Sequence, residues 1–319
     1  MPDQGRLTEV LFAFDLGPGT LSDGPVATGR LGEIWRFDTA RGSWAVKATT
    51  AEPSDESIRF QEAAVAAGVP APGVRRARDG RVTADLDGTS VSVQEWVAMA
   101  GPDPSLDPAS VGALLAGLHR MRGVQLPSRS AVDPWFVDPV GSARWDEVIG
   151  AAVSSRAPFG PDLAAHRDEL VALEVLLASA RDLLWCHRDL FCDNVRARPG
   201  GGLVVFDFDN SGPCDPSWEL AFVLVEYATT SAPIHAKVDV ARARVLYDAY
   251  VDGGGPGRLR GTGDFTMAIA VLGHLGELAT RRWLAATDSA ERDDLAAWAA
   301  ELTERPLTRQ VIADLLDVV

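Results

Sequence analysis

Three polar residues of one stretch have the types and spacing that magnesium-assisted phosphoryl transfer requires. Asp189 precedes Asn194 by five residues, and Asp207 ends the next apolar run of the chain. Phosphoryl transfer asks little covalent chemistry of a protein. It needs a carboxylate that orients the attacking hydroxyl, and oxygen ligands for the magnesium ions that bridge the phosphates. The stretch contains both kinds of group, so it is a candidate site for this chemistry.

The apolar pattern around these residues predicts how they are brought together. Residues 183–185 are apolar, the turn-forming sequence 199–202 follows, and 203–206 has the composition of a buried strand. This pattern predicts a short hairpin whose two ends lie at one place.

A lysine upstream is a candidate ligand of phosphate groups. Lys47 lies in the apolar strand 44–48, where we expect it to form an ion pair rather than point freely into solvent. The following helix, predicted over 54–67, carries Glu56 and Glu62 as partners. We favour Glu62, because its direction is fixed in mid-helix, whereas Glu56 in the first turn is suited to complement the helix dipole. The alternative for Glu62 is a solvated helix residue.

Two further backbone segments are candidates for contact with a nucleotide. Gly29 and Gly32 lie at the first turn between strands, where glycine lets a backbone approach a phosphate closely, although most such pairs are simply hairpin turns. Glu95 and Val97 lie in a segment, 94–97, that we expect to act as a hinge whose backbone pairs with an adenine edge. Packing is an equally common use of the tryptophan between them.

The order of predicted elements indicates two domains. Five strands and one helix are predicted before the small-residue and proline linker 98–104, and mostly helices after it. We therefore expect a β-rich domain over 1–97 and a helical domain over 98–319. The predicted strands lie near residues 26–28, 33–37, 43–48, 81–86 and 90–97. The predicted helices of the second domain are 107–119, 142–154, 162–180, 215–230, 236–250, 264–286, 290–303 and 307–318.

Composition restricts the partners and the compartment. The chain of 319 residues has 46% hydrophobic content and a net charge of -15, and its pI near 4.7 argues against nucleic acid or an anionic membrane as partner. A cationic or neutral substrate is favoured. Three cysteines indicate no disulfide framework. The N-terminus has no signal-peptide pattern and no apolar run reaches the ~20 residues of a spanning helix, so we expect a cytoplasmic protein.

The cysteines of the central stretch are candidate zinc ligands. Cys186, His187, Cys192 and Cys214 lie close together in sequence, but they contain no C-x-x-C pair. The spacing therefore disfavours zinc.

Taken in order, these residues resemble those of the aminoglycoside phosphotransferase and choline kinase-like family of small-molecule kinases. The motifs that carry the resemblance are LLAGLH at 114–119, CHRDLFCDNV at 186–195, VVFDFD at 204–209 and CDPSWELA at 214–221. The resemblance implies an α+β, two-lobed protein kinase-like fold with an antiparallel five-stranded N-terminal lobe and a mostly helical C-terminal lobe.

The resemblance also implies roles for the polar residues. Asp189 is expected to act as the catalytic base or hydroxyl-orienting group, with Asn194 and Asp207 as magnesium ligands. Lys47 is expected to bind the α- and β-phosphates of the nucleotide, with Glu62 as its partner.

Two more residues are expected to support the site. His187 is expected to be structural, and Asp215 to brace the site, although capping of the following helix explains Asp215 equally well. The family more often has glycine where Arg188 stands, which gives this loop the look of a protein kinase. The step from Asp207 to Asp215 leaves no room for an activation loop, which argues against a protein substrate.

The expected activity is ATP-dependent phosphorylation of a hydroxyl on a small molecule such as an aminoglycoside, another antibiotic, an amino sugar or an amino alcohol, with GTP as an alternative donor. Glu219, Glu226 and Glu277 are candidate walls of an acidic acceptor pocket, and each is equally well explained as a solvated helix residue. A catalytically inactive nucleotide-binding scaffold is the main alternative, and a protein kinase is a weaker one.

Overall fold

The structure of the chain is a computed structural model, which describes residues 4–28, 32–50, 52–121, 131–230, 236–305 and 307–318. It is an α+β protein. Its strands are β1 (Gly19–Leu21), β2 (Ala27–Thr28), β3 (Gly32–Thr39), β4 (Gly42–Thr49), β5 (Val74–Arg75), β6 (Thr83–Leu86), β7 (Thr89–Glu95), β8 (Leu184–Cys186), β9 (Val195–Ala197), β10 (Leu203–Val205), β11 (Gly212–Cys214), β12 (Thr229–Thr230) and β13 (Lys237–Val238).

The helices include all those that the apolar periodicity predicts, although the one predicted over 162–180 ends at Glu174, six residues early. They are α1 (Gln4–Leu11), α2 (Asp55–Ala66), α3 (Pro108–His119), α4 (Ser142–Ser154), α5 (Gly160–Glu174), α6 (Pro216–Ala228), α7 (Val240–Asp252), α8 (Thr266–Ala285), α9 (Ser289–Glu304) and α10 (Arg309–Val318). Among the described residues, no helix combines the length and the apolar character needed to cross a bilayer.

The described residues form two compact units. The first comprises residues within 4–103 together with Met121 and 193–212, and the second comprises residues within 104–120, 131–192 and 213–318.

The first unit is built on an antiparallel sheet of seven strands. Its strand order is β1-β3-β4-β7-β5, with β2 paired to β3 and β6 paired to β7. Two of its strands, β1 and β5, are additional to the five predicted from the sequence, and they span only three and two residues. In the centre of the sheet, Lys47 of β4 lies opposite Ile34 of β3 and Ser92 of β7.

One face of this sheet is apolar and covered by α1. Side chains alternate between the faces of a strand, so Val46 points to the opposite side from Lys47. Val46 packs in a core with Trp35, Phe37 and Leu11 of α1. The alternation therefore leaves Lys47 on the face of the sheet that α1 does not cover.

The second structural part of the first unit is a hairpin of β9 and β10 that docks near α2. Val195 pairs with Val205 across the hairpin, and the Val205 amide donates to the carbonyl of Pro70 at 2.9 Å. Phe208, just beyond β10, meets the ring of Phe60 on α2 edge to face, with centroids 5.8 Å apart. These contacts fix where the residues after β10 lie.

The core of the second unit contains α6, all of whose residues are buried. Helices α3 and α7 cross closely beside it at Gly112. A Cβ on Gly112 would collide with the Leu246 carbonyl and lie 3.1 Å from the Tyr250 amide nitrogen. The missing side chain is therefore what lets these two helices approach.

We predict that Gly112→Ala lowers the free energy of unfolding by about 1–3 kcal/mol, because overpacking against a backbone carbonyl outweighs the higher helix propensity of alanine. Gly150→Ala is the matched control, since a Cβ at Gly150 of α4 has nothing within 4 Å. The control should be stabilised by up to about 1 kcal/mol. Urea unfolding of both variants tests the difference, and equal effects would contradict the close crossing.

Candidate active site

Lys47 is held by two carboxylates of the first unit. Its Nζ lies 2.8 Å from Oδ1 of Asp207 and 2.6 Å from Oδ2 of Asp209. Burial alone would lower the pKa of the Lys47 ammonium, but the charges and hydrogen bonds of the two carboxylates outweigh burial and raise this pKa. Lys47 therefore stays charged across the neutral range.

The predicted pairing of Lys47 with Glu62 is not found, and the structure corrects it. Both carboxylate oxygens of Glu62 accept from Arg76, at 2.7 and 2.8 Å. The buried stripe of α2 includes Phe60 and Gln61, and the next residue, Glu62, is turned about 100° away from Gln61 around the helix. Helical phase thus directs Glu62 to Arg76, and the partner that sequence reasoning missed is Asp209, two residues after Asp207.

Asn194 and Asp207 lie at the two ends of the β9–β10 hairpin. Asn194 is buried, and its backbone carbonyl accepts from the Phe206 amide at 3.1 Å. Asp207 has a left-handed backbone with φ of 60°, which ends the strand and turns the chain. The hairpin therefore brings together the two predicted metal ligands, as the apolar pattern indicated.

Of the two glycines predicted to contact phosphate, one lies within the described residues. Gly29 lies outside the described residues. Gly32 begins β3, opposite Thr49 of β4, and a Cβ there would collide with the Ala48 carbonyl and lie 2.9 Å from the Thr49 Cα. Close strand pairing is thus one physical reason for glycine at position 32.

A cavity of about 390 Å³ lies beside the predicted hinge. Ser43, Glu95, Trp96 and Val97 are among its lining residues. The Trp96 amide donates to the Ser43 carbonyl at 3.0 Å, whereas the Val97 amide donates no backbone hydrogen bond within the part of the chain that is described. This amide is therefore available to a ligand at the cavity.

The loop that precedes Asp189 is fixed by a buried carboxylate of the second unit. Glu219 of α6 is 0% exposed. It accepts from the His187 amide at 3.3 Å and, through its other oxygen, from the Arg188 amide. The half-buried Asp189 follows directly, so Glu219 positions the backbone on which Asp189 is carried.

A second carboxylate of α6 holds the same loop further along. Glu226 accepts from the Cys192 amide at 3.1 Å and from Arg305 at 3.0 Å. Glu219 and Glu226 are seven residues apart, so they lie on one face of the helix, about 10.5 Å apart along its axis. The loop segment 187–192 is thus held at both ends by one buried helix.

Arg188 occupies a strained backbone position in this loop. Its φ is 65°, in the left-handed region that costs about 1–2 kcal/mol for a residue with a side chain. Its guanidinium lies 4.0 Å from the ring centroid of Phe136. Stacking on Phe136 and the Glu219 contact together oppose the strain at Arg188.

Asp215 caps α6, as the sequence indicated, and makes one further backbone contact. One of its carboxylate oxygens accepts from the Ser217 amide at 2.9 Å and caps α6. The other accepts from the Arg181 amide at 2.9 Å, in the segment that leads into β8. Asp215 therefore ties the start of α6 to the chain ahead of the loop.

The described residues contain one group of three donors with the spacing of a metal site, and Cys186 is the one candidate zinc ligand of the central stretch that belongs to it. His119, Cys186 and Glu219 offer ligand atoms within 4.8 Å of one another. The His119 Nε2 and Glu219 Oε2 atoms are already hydrogen bonded at 2.7 Å. Burial raises the pKa of the Cys186 thiol, which disfavours the thiolate that a metal needs. The group is a hydrogen-bonded cluster.

Comparison with known families gives a match over most of the chain. Residues 25–262 match the model of the phosphotransferase enzyme family. No curated protein sequence matches the chain.

Solved structures share its fold at low sequence identity. A spectinomycin phosphotransferase in complex with ADP and spectinomycin superposes with a TM-score of 0.69 and 10% identity, covering 100% of this chain and 99% of that one. An aminopropanol kinase associated with a microcompartment gives 0.60 and 17%, covering 99% and 100%. An amicoumacin kinase in complex with AMP-PNP and Ca²⁺ gives 0.57 and 14%, covering 94% and 93%. The kinase-like α+β fold expected from the sequence is thereby confirmed.

We predict that Glu219→Gln lowers the free energy of unfolding by about 3 kcal/mol at pH 7, because an amide cannot accept from all three donors. Burial alone would raise the pKa of the Glu219 carboxyl, but the hydrogen bond from His119 and the Arg188 amide lower it overall. A lowered folded-state pKa gives stability that is present above the unfolded value of about 4.3 and is lost as pH falls through the folded value. The difference between wild type and variant should therefore shrink below pH ~4.

Urea unfolding from pH 7 down to pH 3.5 measures this dependence. Glu147→Gln is the control, because the Glu147 side chain is 67% exposed and pairs at 2.7 Å with Arg144. It should change stability by at most about 0.5 kcal/mol. A Glu219→Gln effect that stays constant with pH would contradict the ionised carboxylate.

Proposed function

The chain belongs to the phosphotransferase enzyme family, and we propose that it transfers the terminal phosphoryl group of ATP to a hydroxyl of a small molecule. The observation that carries the proposal is the ion pair of Lys47 with Asp207 and Asp209. The charged ammonium of Lys47, on a central strand of the sheet, thus lies beside the carboxylate of Asp207, which follows the β9–β10 hairpin. A cation for phosphate and an oxygen ligand for a metal are what phosphoryl transfer requires.

The nucleotide is proposed to lie along β4. Its base occupies the cavity beside Glu95 and Val97, with the Val97 amide as donor to a ring nitrogen. Ser43 lines this cavity. Lys47 lies four residues further along β4, which corresponds to roughly 13 Å along a strand. This is comparable with the separation between the base and the phosphates of an extended nucleotide, and it leaves Lys47 to bind the α- and β-phosphates. GTP is the alternative donor.

Magnesium is the metal that the donor set fits. Asn194 and Asp207 offer an amide oxygen and a carboxylate at the ends of one hairpin, and such hard oxygen donors are what Mg²⁺ prefers. When bound, magnesium neutralises the charge that develops on the phosphates. We propose that Asn194 and Asp207 hold it, beside the ammonium of Lys47.

Asp189 is proposed to accept a hydrogen bond from the acceptor hydroxyl. The hydroxyl oxygen then forms a bond to the γ-phosphorus, the bond from that phosphorus to the bridging oxygen breaks, and ADP leaves. The hydroxyl proton is passed to Asp189 and on to solvent. His187 is proposed to be a structural residue of the loop, and Asp215 to support the site through its contact with the Arg181 amide.

The acceptor is proposed to be an alcohol that also carries an amine, bound by the helical domain 98–319, with the nucleotide on the domain 1–97. The similar structures include an aminopropanol kinase, and the net charge of -15 favours a cationic or neutral acceptor. The three glutamates named from the sequence already have partners of their own. Glu219 binds loop amides, Glu226 binds Arg305, and Glu277 binds Arg144 and Arg281. Recognition of the amine must therefore use other groups.

An ADP-release screen tests the proposed function. Aminoglycosides, other antibiotics, amino sugars and choline-like alcohols are offered with magnesium and ATP, and products are checked by mass for an added phosphoryl group. Peptides are included as a control for protein kinase activity. Binding of magnesium ATP without transfer to any acceptor would instead favour a nucleotide-binding scaffold.

We predict that Asp189→Asn lowers kcat at least about 1,000-fold, because an amide does not accept the hydroxyl proton, while the Kd for ATP changes less than threefold. The matched control is Asp193→Asn, an exposed aspartate of the same loop, which should retain near-normal turnover. Normal turnover by Asp189→Asn would refute the role of Asp189.

We predict that Asp207→Ala abolishes the magnesium-dependent part of ATP binding, because one of two protein ligands and a partner of Lys47 are lost together. Calorimetric titration with ATP, with and without magnesium, measures this part directly. Wild type should bind more tightly with magnesium and the variant equally in both. An unchanged magnesium effect in the variant would place the metal elsewhere.

A further inference from the structure

A chain of buried hydrogen bonds leads from α7 to the loop that carries Asp189. The amide of Gly257 donates to the Tyr250 hydroxyl at 2.8 Å. The same hydroxyl lies 2.8 Å from Nδ1 of His119, and Nε2 of His119 lies 2.7 Å from Oε2 of Glu219. Tyr250 is 0% exposed and His119 4%. The contacts therefore form without competition from bulk water.

Counting protons fixes the direction of this chain. The Tyr250 oxygen already accepts from the Gly257 amide, so its own proton is free to be donated, and Nδ1 of His119 is the acceptor within reach. That leaves the His119 proton on Nε2, facing the carboxylate of Glu219. Any form of His119 with a proton on Nδ1 would leave the buried Tyr250 proton without an acceptor, which costs free energy.

This chain of hydrogen bonds from Gly257 through Tyr250 and His119 to Glu219, which we call the relay, ends at the strained turn before Asp189. With Oε2 of Glu219 held by His119, its other oxygen is directed to the Arg188 amide. Arg188 has the left-handed φ of 65°, and a strained residue persists only when its surroundings enforce it. We propose that Tyr250 and His119 are positioning residues, which orient Glu219 and through it the Arg188 turn that aims Asp189. This inference rests on the proposed function of Asp189.

Packing alone is the competing explanation. The rings of His119 and Tyr250 meet edge to face, with centroids 5.6 Å apart at 90°, and a contact of that kind does not need the hydroxyl. Tyr250→Phe retains the ring and removes only the relay donor. In this variant, Nδ1 of His119 either takes the ring proton from Nε2 or is left without a hydrogen-bond donor. In both cases the hydrogen bond from Nε2 to Glu219 is weakened.

The tautomer of His119 is measured first, in the wild-type protein. Its two ¹⁵N imidazole resonances are assigned by their absence from the His119→Gln spectrum. We expect an unprotonated Nδ1 and a protonated Nε2 at pH 7, and a change of this pattern in Tyr250→Phe. A wild-type imidazolium or a proton on Nδ1 would overturn the relay. This test needs no turnover, so it stands even if the chain transfers no phosphate.

Steady-state kinetics then test the positioning role. Tyr250→Phe should lower kcat about three- to tenfold, with KM for ATP and acceptor within twofold of wild type. Tyr247→Phe on the same helix is the matched control and should leave kcat unchanged. Glutamine at position 119 places its nitrogen near the position of Nε2, whereas asparagine places it near Nδ1. We therefore expect His119→Gln to stay within about threefold of wild type and His119→Asn to lose about tenfold or more.

The double variant separates a relay from independent packing. In the His119→Gln background the donor to Glu219 no longer depends on Tyr250, so adding Tyr250→Phe should lower kcat by less than twofold. A full three- to tenfold loss in that background would show that the hydroxyl acts independently of His119 and would refute the relay. Failure of the proposed function would appear differently, as wild-type protein that transfers no phosphate while the ¹⁵N pattern is still observed.

Discussion

The buried carboxylate of Glu219 is the constraint on which much of the second unit depends. An ionised group without solvent contact costs several kcal/mol unless donors surround it, and here the donors come from separate segments. His119 at the end of α3 supplies one, and the amides of His187 and Arg188 supply the others. Satisfying one charge therefore ties two helices and the loop before Asp189 into a single arrangement.

The first unit also contains a charged group with oppositely charged partners, but these side chains are partly exposed to solvent. Lys47 stands between Asp207 and Asp209, but these side chains are 23%, 40% and 35% exposed. Water can take over any of their contacts, so the ion pair is readily exchanged for other partners. Glu219 cannot be released in this way, because no solvent reaches it. The protein thus combines a fixed loop support with a charged group that is free to change its partner.

Sequence periodicity predicted the helices well because it is a local property. Helix α4 coincides with the predicted 142–154. Strands β1 and β5 were not predicted, because a strand of two or three residues shows no periodicity and forms only by pairing with its neighbours. The partner of Lys47 was wrong because helical phase turns Glu62 towards Arg76. Glu219 was considered only as an acceptor wall or a solvated residue. A carboxylate within an otherwise apolar helix could have been recognised as a buried group in need of donors.

The seven-residue interval between Glu219 and Glu226 has an evolutionary consequence. One residue inserted between them would rotate one carboxylate by about 100° and shift it by about 1.5 Å, so it would no longer meet its amide in the loop. A change in the length of segment 187–192 would break the same correspondence from the other side. An insertion or deletion in only one of these two segments is therefore expected to be selected against during divergence. The seven-residue interval and the loop length should be inherited together, even in relatives whose surface loops vary freely.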